Sequence, residues 1–207
     1  MKAVAMFPLG TVLFPGVHLP LRIFEQRYLQ LFSDISETNQ DFGTCLIEKG
    51  HEVGGNDSRF SYGTLCKVVD SEELALGQLG IQSIGIKRVI IKKWLPDNPY
   101  PMANLEILDD SEDTDFPYKQ KIIEELERCY VLLVQMGAVQ PESMNIKILG
   151  QLDLFSACSL APLGQLDKYN LLKLDTSEDR SNSLLSLITS ERETLAAMSR
   201  LQQEESK

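Results

Sequence analysis

The chain has 207 residues, 43% of them hydrophobic and 24% charged, and its 30 acidic against 20 basic side chains give a formal net charge of −10. That composition excludes disordered, collagen-like and fibrous classes, and a chain of this length buries about 70% of its unfolded surface in one domain or two small ones. The acidity disfavours nucleic acid and anionic lipid as general partners, since both present negative phosphate.

Cys45, Cys66, Cys129 and Cys158 form no CxxC pair. This argues against a zinc site or a secreted disulfide scaffold and for buried or reduced thiols. The N-terminus carries one positive charge, Lys2, and reaches Pro8 before a signal-peptide apolar segment can form. No apolar run approaches the ~20 residues that span a bilayer. The expected setting is cytoplasmic, with no membrane partner.

The first half reads as strands and turns. Residues 3–7 and 11–14 are short apolar runs punctuated by the turn signals Pro8-Leu9-Gly10 and Phe14-Pro15-Gly16. A helix follows, starting around Arg22 to Phe24 after Pro20: Phe24, Tyr28, Leu31, Phe32 and Ile35 lie on one stripe of a 3.6-residue period. Glu25 falls in its first turn, where the helix dipole favours a carboxylate. Residues 42–49, 59–70, 74–82, 85–94 and 102–108 read as strands, with a breaker-rich loop at 50–58. Apolar residues along 62–69 do not alternate cleanly, as expected where both faces are covered in a closed or half-closed barrel.

The run Asp109-Asp110-Ser111-Glu112-Asp113-Thr114-Asp115 holds five carboxylates in seven residues and reads as a solvated linker. Thr114 stands where an EF-hand loop needs glycine. Beyond it the pattern is helical. Ile122, Ile123, Leu126, Cys129, Tyr130 and Leu133 form a stripe ending near Gly137. Ile146, Leu149, Leu152 and Phe155 suggest a further helix, Tyr169, Leu171, Leu172 and Leu174 a short one, and Leu184 to Leu201 a long last one. The predicted fold class is α+β: about six strands with one inserted helix over residues 1–114, then a helical subdomain over 115–207.

Catalytic motifs are missing. The two histidines, His18 in a turn-rich segment and His51 in the Gly-rich loop, read as surface or capping residues. No G-x-S-x-G surrounds any serine, and Gly55 stands where H-E-x-x-H needs its second histidine. Gly80 and Gly85 have the glycine separation of a Walker A loop, but Ile86 replaces the phosphate-binding lysine, so the segment reads as a β-turn. Glu124 and Arg128 pair at i, i+4 on a solvent face. No catalytic, metal-binding or cofactor-binding residue is assigned, and no cofactor. One basic cluster, Lys87-Arg88-Val89-Ile90-Ile91-Lys92-Lys93-Trp94, splits its charge between the two faces of a strand and makes a poor phosphate track.

The string Phe7-Pro8-Leu9-Gly10-Thr11-Val12-Leu13-Phe14-Pro15-Gly16, followed by Leu19-Pro20-Leu21-Arg22-Ile23-Phe24-Glu25-Gln26-Arg27-Tyr28, closely resembles the opening of the Lon protease N-terminal (substrate-binding) domain. The likeness is to the stand-alone bacterial proteins made of that domain alone. It continues at Gly63-Thr64-Leu65, at the Gly85-Ile86-Lys87-Arg88 step, and around Asp167 to Leu172. The resemblance implies a PUA-like pseudo-barrel with a helical bundle and a role in recognising unfolded or tagged polypeptide, with a protease or chaperone supplied in trans. It gives no peptidase assignment, since the ATPase and Ser-Lys peptidase modules of the full protease are not in the sequence.

The signature residues Pro8, Leu9, Phe14, Pro15, Gly16, Leu19, Pro20, Leu21, Phe24, Glu25, Arg27, Tyr28, Gly63, Gly85 and Arg88 read as scaffold: prolines and glycines set turns, and the apolar ones supply core. Glu25 and Arg27 do not face each other at i, i+2 of a helix, so Glu25 is expected to pair with Arg88 across the barrel. The function expected is a non-enzymatic recognition module, an adaptor or chaperone-like binder, marked by an exposed apolar patch or a free strand edge. The alternative is an RNA-binding PUA-like protein. Peptide-binding residues, client and oligomeric state are not legible.

Overall fold

The computed structural model describes residues 3–38, 40–49, 58–110, 115–140 and 152–205. His51 and the residues Ile146 and Leu149 of the third predicted helix lie outside them. The chain divides into two compact units, Met1–Ser111 and Glu112–Lys207. The first holds β1 (Ala3–Leu9), β2 (His18–Ile23), α1 (Gln26–Thr38), β3 (Phe42–Lys49), β4 (Ser58–Leu74), β5 (Gln78–Leu95) and β6 (Met102–Ile107). The second holds α2 (Lys119–Gln135), α3 (Leu154–Leu160), α4 (Gln165–Lys173) and α5 (Ser177–Glu205). The class is α+β with six strands, as expected.

The strand order is β2-β5-β4-β3-β1-β6, and β6 returns to pair with β5. Five strands therefore close into a barrel while β2 adds to the outside of the long β4–β5 hairpin. β1 and β3 run parallel, with β2 and α1 between them in sequence; all other pairings are antiparallel. Met6, Cys45, Leu65, Val89, Ile91, Ala103 and Leu105 form one buried cluster. Each strand of the ring contributes to it, which makes it the barrel interior. Alternate residues of the same strands, including Ala5, Phe42 and Cys66, meet α1 through Tyr28, Leu31, Phe32 and Ile35 in a second cluster. The Phe32 ring lies 5.2 Å from Phe42 and 5.9 Å from Phe7, geometry that adds ~0.5–1.5 kcal/mol per pair beyond area burial.

Several expected elements differ. Residues 11–14 are not a strand but part of the loop between β1 and β2, and the missing sixth strand is β2. Its Pro20 hides it in the sequence, yet β2 is an edge strand pairing only with β5, where a residue without N–H is tolerated. Pro8 likewise lies inside β1, beyond the three residues that pair with β6. The β-turn expected at Gly80–Gly85 is absent: both glycines lie inside β5, and the hairpin turns at Ala75–Gly77. α1 starts at Gln26, so Phe24 stands outside the stripe, and Glu25 precedes the first turn, its carbonyl accepting from the Tyr28 and Leu29 N–H groups.

In the second unit α2 and α5 are bonded in antiparallel order: Cys129 Sγ donates to the Ile188 carbonyl at 3.6 Å and Arg192 Nε to Glu125 at 2.5 Å. The expected Glu124–Arg128 pair is not the one found: Arg128 bonds Glu125, which is buried, at 2.6 Å, and Glu124 accepts from Gln120. Gly137 ends α2 with φ 73°. Its N–H reaches the Val134 carbonyl and the Ala138 N–H reaches Leu133, the paired bonds of a Schellman cap. Thr176 opens α5 by accepting from the Asp179 N–H at 3.0 Å. Buried Arg180 donates to the Leu171 and Leu174 carbonyls and lies over the Phe155 ring, joining α3, α4 and α5.

Gly63 and Gly77 separate packing from conformation. A Cβ on Gly63 would sit 2.0 Å from the Thr44 carbonyl oxygen, whereas Gly77 has φ 69° and open space around it. Gly63→Ala is expected to cost ~1–3 kcal/mol or more through overpacking against backbone, and Gly77→Ala ~1–2 kcal/mol through left-handed strain alone. Urea unfolding followed by circular dichroism checks both values, and a Gly63→Ala midpoint equal to wild type contradicts the packing.

Candidate functional site

Four of the signature residues, Phe14, Pro15, Gly16 and Gly85, meet at one place. Phe14-Pro15-Gly16-Val17 forms a type II turn: Val17 N–H reaches the Phe14 carbonyl and Gly16 takes φ 77°, the value the third position of this turn requires. The turn lies directly on Gly85. Gly16 N–H donates to the Gly85 carbonyl at 2.9 Å, Gly85 N–H to the Val17 carbonyl at 3.0 Å, and a Cβ on Gly85 would stand 2.5 Å from the Phe14 oxygen. Thr64 Oγ1 donates to the Leu13 carbonyl at 2.6 Å in a buried site. Pro8, Leu9, Phe14 and Pro15 are buried with it, while Leu19 and Leu21 are half-buried against the α1 cluster.

The expected Glu25–Arg88 ion pair is not the arrangement found. Ile23 pairs with Leu79 at one end of β5, and Arg88 lies nine positions further along, about 30 Å of extended strand. Glu25 instead accepts from Arg27 Nε at 3.1 Å, possible at i, i+2 because Glu25 is not yet helical, and the Arg27 guanidinium lies 4.4 Å from the Tyr28 ring centre. Arg88, 2% exposed, grips Asp110: Nε lies 2.9 and 2.8 Å from the two carboxylate oxygens and Nη2 2.5 Å from Oδ1. Lys87 holds Asp109 at 2.7 Å, and Leu108 N–H donates to the Arg88 carbonyl. The start of the acidic run is thus tied to β5, with Asp109 in solvent and Asp110 drawn in against Arg88.

These pairs also take up three of the four cations of the basic cluster. Lys87, Arg88 and Lys92 face Asp109, Asp110 and Glu106, and the Arg59 guanidinium sits 4.5 Å over the Trp94 ring. Of the cluster's cations only Lys93 stays exposed outside the ion pairs seen among the described residues, and the Trp94 ring is covered by Arg59. All four thiols are free and buried. Burial pushes Cys66 and Cys158 up to about 12 and Cys129 up to about 11, so none of these three is a nucleophile at neutral pH. Among the described residues no His, Cys, Asp and Glu group is placed to hold a metal ion, and no helix is long and apolar enough to cross a membrane.

Beyond Gly85 the sheet leaves the barrel as a three-stranded arm, β2 with β5 residues 79–84 and the end of β4. One face carries Leu19, Leu21, Ile23, Leu79 and Ile81 against α1. The other carries Arg22, Gln78, Gly80, Glu72 and Leu74: Arg22 Nε donates to Gln78 Oε1 at 2.6 Å, and a Cβ on Gly80 would touch Glu72 and Leu74. The arm's end is apolar and open. Phe24 is 54% exposed, and Leu76, at the hairpin tip with φ 63°, is 93% exposed. The sequence reading placed Phe24 in the core and missed Leu76, since nothing local marks a leucine that takes a left-handed turn position.

A family model described as the ATP-dependent protease La (LON) substrate-binding domain matches residues 3–190. The chain belongs to the Lon substrate-binding domain family. It is 26% identical over 203 residues to the Lon protease of Koribacter versatilis, covering 94% of this chain and 24% of that protein. It is 22% identical over 200 residues to Lon protease 1 of Bacillus subtilis, covering 94% and 26%. The chain therefore spans about a quarter of the length of the curated relatives it matches. A Lon N-terminal domain protein from Xanthomonas campestris superposes with a TM-score of 0.69 at 26% identity, covering 90% of this chain and 98% of that one. The N-terminal domain of a Mycobacterium avium complex Lon protease shares the fold, with a TM-score of 0.63 at 16% identity over 93% and 98%.

Two outcomes follow for this Lon-type unit. Asp110→Ala leaves the Arg88 charge buried and is expected to cost ~3–5 kcal/mol, while Arg88→Met with Asp110→Leu removes both charges and costs markedly less. Stability measurements on the two variants decide it, and equal losses contradict a buried pair. Native protein at pH 8 is expected to give no reaction with Ellman's reagent and four thiols after denaturation; a rapid native thiol contradicts the burial.

Proposed function

We propose that the chain is a non-enzymatic polypeptide-recognition module, acting as an adaptor or chaperone-like binder for unfolded or tagged polypeptide that a protease or chaperone in trans then handles. The observation that carries the reading is Leu76. A non-glycine residue in the left-handed region costs ~1–2 kcal/mol, and a leucine held there at 93% exposure recovers nothing from the core. Such a position destabilises the fold and makes sense as a contact surface. Phe24 lies just past Ile23, whose partner Leu79 leads back to the same tip, so the two exposed side chains share one end of the arm.

Membership in a substrate-binding family supports the same class of ligand. The signature residues take a different part: Gly16, Gly63, Gly85 and Arg88 hold the barrel and its exit rather than touch polypeptide. The RNA-binding alternative is not favoured, given the net charge of −10 and the carboxylate partners of Lys87, Arg88 and Lys92. A cytoplasmic setting fits this role.

The test pairs stability with binding. Leu76→Asn places a residue tolerant of the left-handed region at the tip, so it is expected to raise stability by up to ~1 kcal/mol while lowering capture of unfolded, carboxymethylated casein. Adding Phe24→Ser lowers capture further, and the pure protein cleaves no casein with or without ATP. Undiminished capture by the double variant sinks the tip as the contact surface. Cleavage abolished by a point substitution sinks the non-enzyme reading.

A further inference from the structure

Two strand edges of the arm have no strand partner among the described residues, the outer sides of β2 and of β4, and Pro20 blunts the first. β3 meets β4 up to the Phe42–Cys66 pair, and no described strand lies beside β4 beyond it. Residues Asp70 to Glu73 are all exposed. Hydrogen-bond direction along this edge can be worked out from Gly85. Its N–H and C=O both face the 14–17 turn, on the β2 side, so by strand alternation Ile81 and Leu79 also face β2. Ser71 and Glu73, opposite Ile81 and Leu79, therefore turn their backbone groups outward. An independent contact agrees: Ser71 N–H is held by the Asp70 carboxylate at 2.9 Å, an edge donor satisfied by the neighbouring side chain.

We propose that this outer edge of β4, residues 68–74, takes an extended, lysine- or arginine-bearing segment of the bound polypeptide as an added antiparallel or parallel strand. The inference rests on the recognition reading above and adds the substrate class and binding mode. Charge complementarity chooses the occupant. Asp70 and Glu72 project on one face and Glu73 on the other, and none of the three makes an ion pair among the described residues. A second copy of the chain adding edge to edge brings these acids against each other, where like charges directly opposite destabilise pairing. A neutral strand must compete with Asp70 for the Ser71 N–H. A basic strand gives the Asp70 carboxylate a new partner as it leaves, so the edge is guarded against apolar aggregation and opens to cationic segments.

The test uses the whole chain with a fluorescein-labelled peptide of alternating lysine and valine, the same peptide with alternate backbone amides N-methylated, and a glutamate–valine peptide. Anisotropy is expected to show binding of the first, with about tenfold or greater weakening by N-methylation and none of the third bound. Ser71→Pro removes the outward donor at an edge position where proline is tolerated, and is expected to weaken the lysine–valine peptide by about tenfold at unchanged melting temperature. Glu72→Lys with Glu73→Lys weakens it without touching the backbone, and amide exchange at Ser71 slows in the complex. Equal binding of the N-methylated peptide overturns the strand-addition mode. Casein capture that depends on Phe24 and Leu76 but ignores Ser71→Pro overturns the edge assignment and leaves the recognition reading standing, whereas a chain that captures neither casein nor peptide overturns both. A concentration-dependent dimer abolished by Ser71→Pro overturns the choice of occupant.

Discussion

The rest of the first unit depends on the backbone crossing at Gly85. β5 is a single strand of 18 residues, but its neighbours change along it: β2 accompanies it up to the His18–Ile84 pair, and β6 takes over from the Val89–Ile107 pair. Between the two, the Phe14–Val17 turn fills the gap with two backbone hydrogen bonds to Gly85, and only a residue without Cβ admits the Phe14 carbonyl there. The same step carries a bulge on β5, where Ile86 is the extra residue between the Leu65–Lys87 and Cys66–Gly85 pairs. Bulges bend and twist a sheet, which is what closing one half of a hairpin into a barrel while leaving the other half open demands. Three residues after Gly85, Arg88 fixes the point where the chain leaves the barrel through Asp110.

The charges divide along the same line. On the barrel half of β5 the cations Lys87, Arg88 and Lys92 each have a carboxylate partner, and the Arg59 guanidinium covers Trp94. On the arm half the acids Asp70, Glu72 and Glu73 stand outside the ion pairs seen among the described residues. The surplus of acidic over basic residues in the sequence is thus concentrated, in part, on the arm. An acidic surface bearing isolated apolar side chains favours cationic and apolar ligands and turns phosphate away, by the electrostatics that set the field of a whole protein.

What the sequence made legible, and what it did not, divides by the range of the forces involved. The stripe of α1, the strands β3 and β6, the stop of α2 at Gly137 and the type II turn at Pro15-Gly16 each follow from a few neighbouring residues. The family string carried the barrel. The errors arose where a residue's role depends on a distant partner. Gly80 and Gly85 resemble turn glycines, yet each is a strand glycine placed for a close approach, to Glu72 and to Phe14 respectively. Pro20 and Pro8 resemble strand breakers, yet each sits where no neighbouring strand needs its N–H. Arg88 was read as an ion-pair member from its motif, and its partner Asp110, 22 residues away, is hidden inside an acidic run that reads as solvated. Leu76 has no local signature at all, because a left-handed leucine is chosen by the hairpin that surrounds it.

The arm is covered on one face only. α1 packs one face with Tyr28, Leu31, Phe32 and Ile35, and the opposite face is polar around a bare Gly80. Three hydrogen-bonded strands with one buried face are enough for independent stability, and two are not. β2 is therefore what keeps the β4–β5 hairpin ordered beyond the barrel, and Leu19, Leu21 and Ile23 are its hold on α1. That arrangement leaves the outer edge of β4 and the Leu76 tip free of structural duty, while the barrel behind them is locked by Gly85 and Arg88. Contacts made at the tip and the edge therefore cost the core nothing.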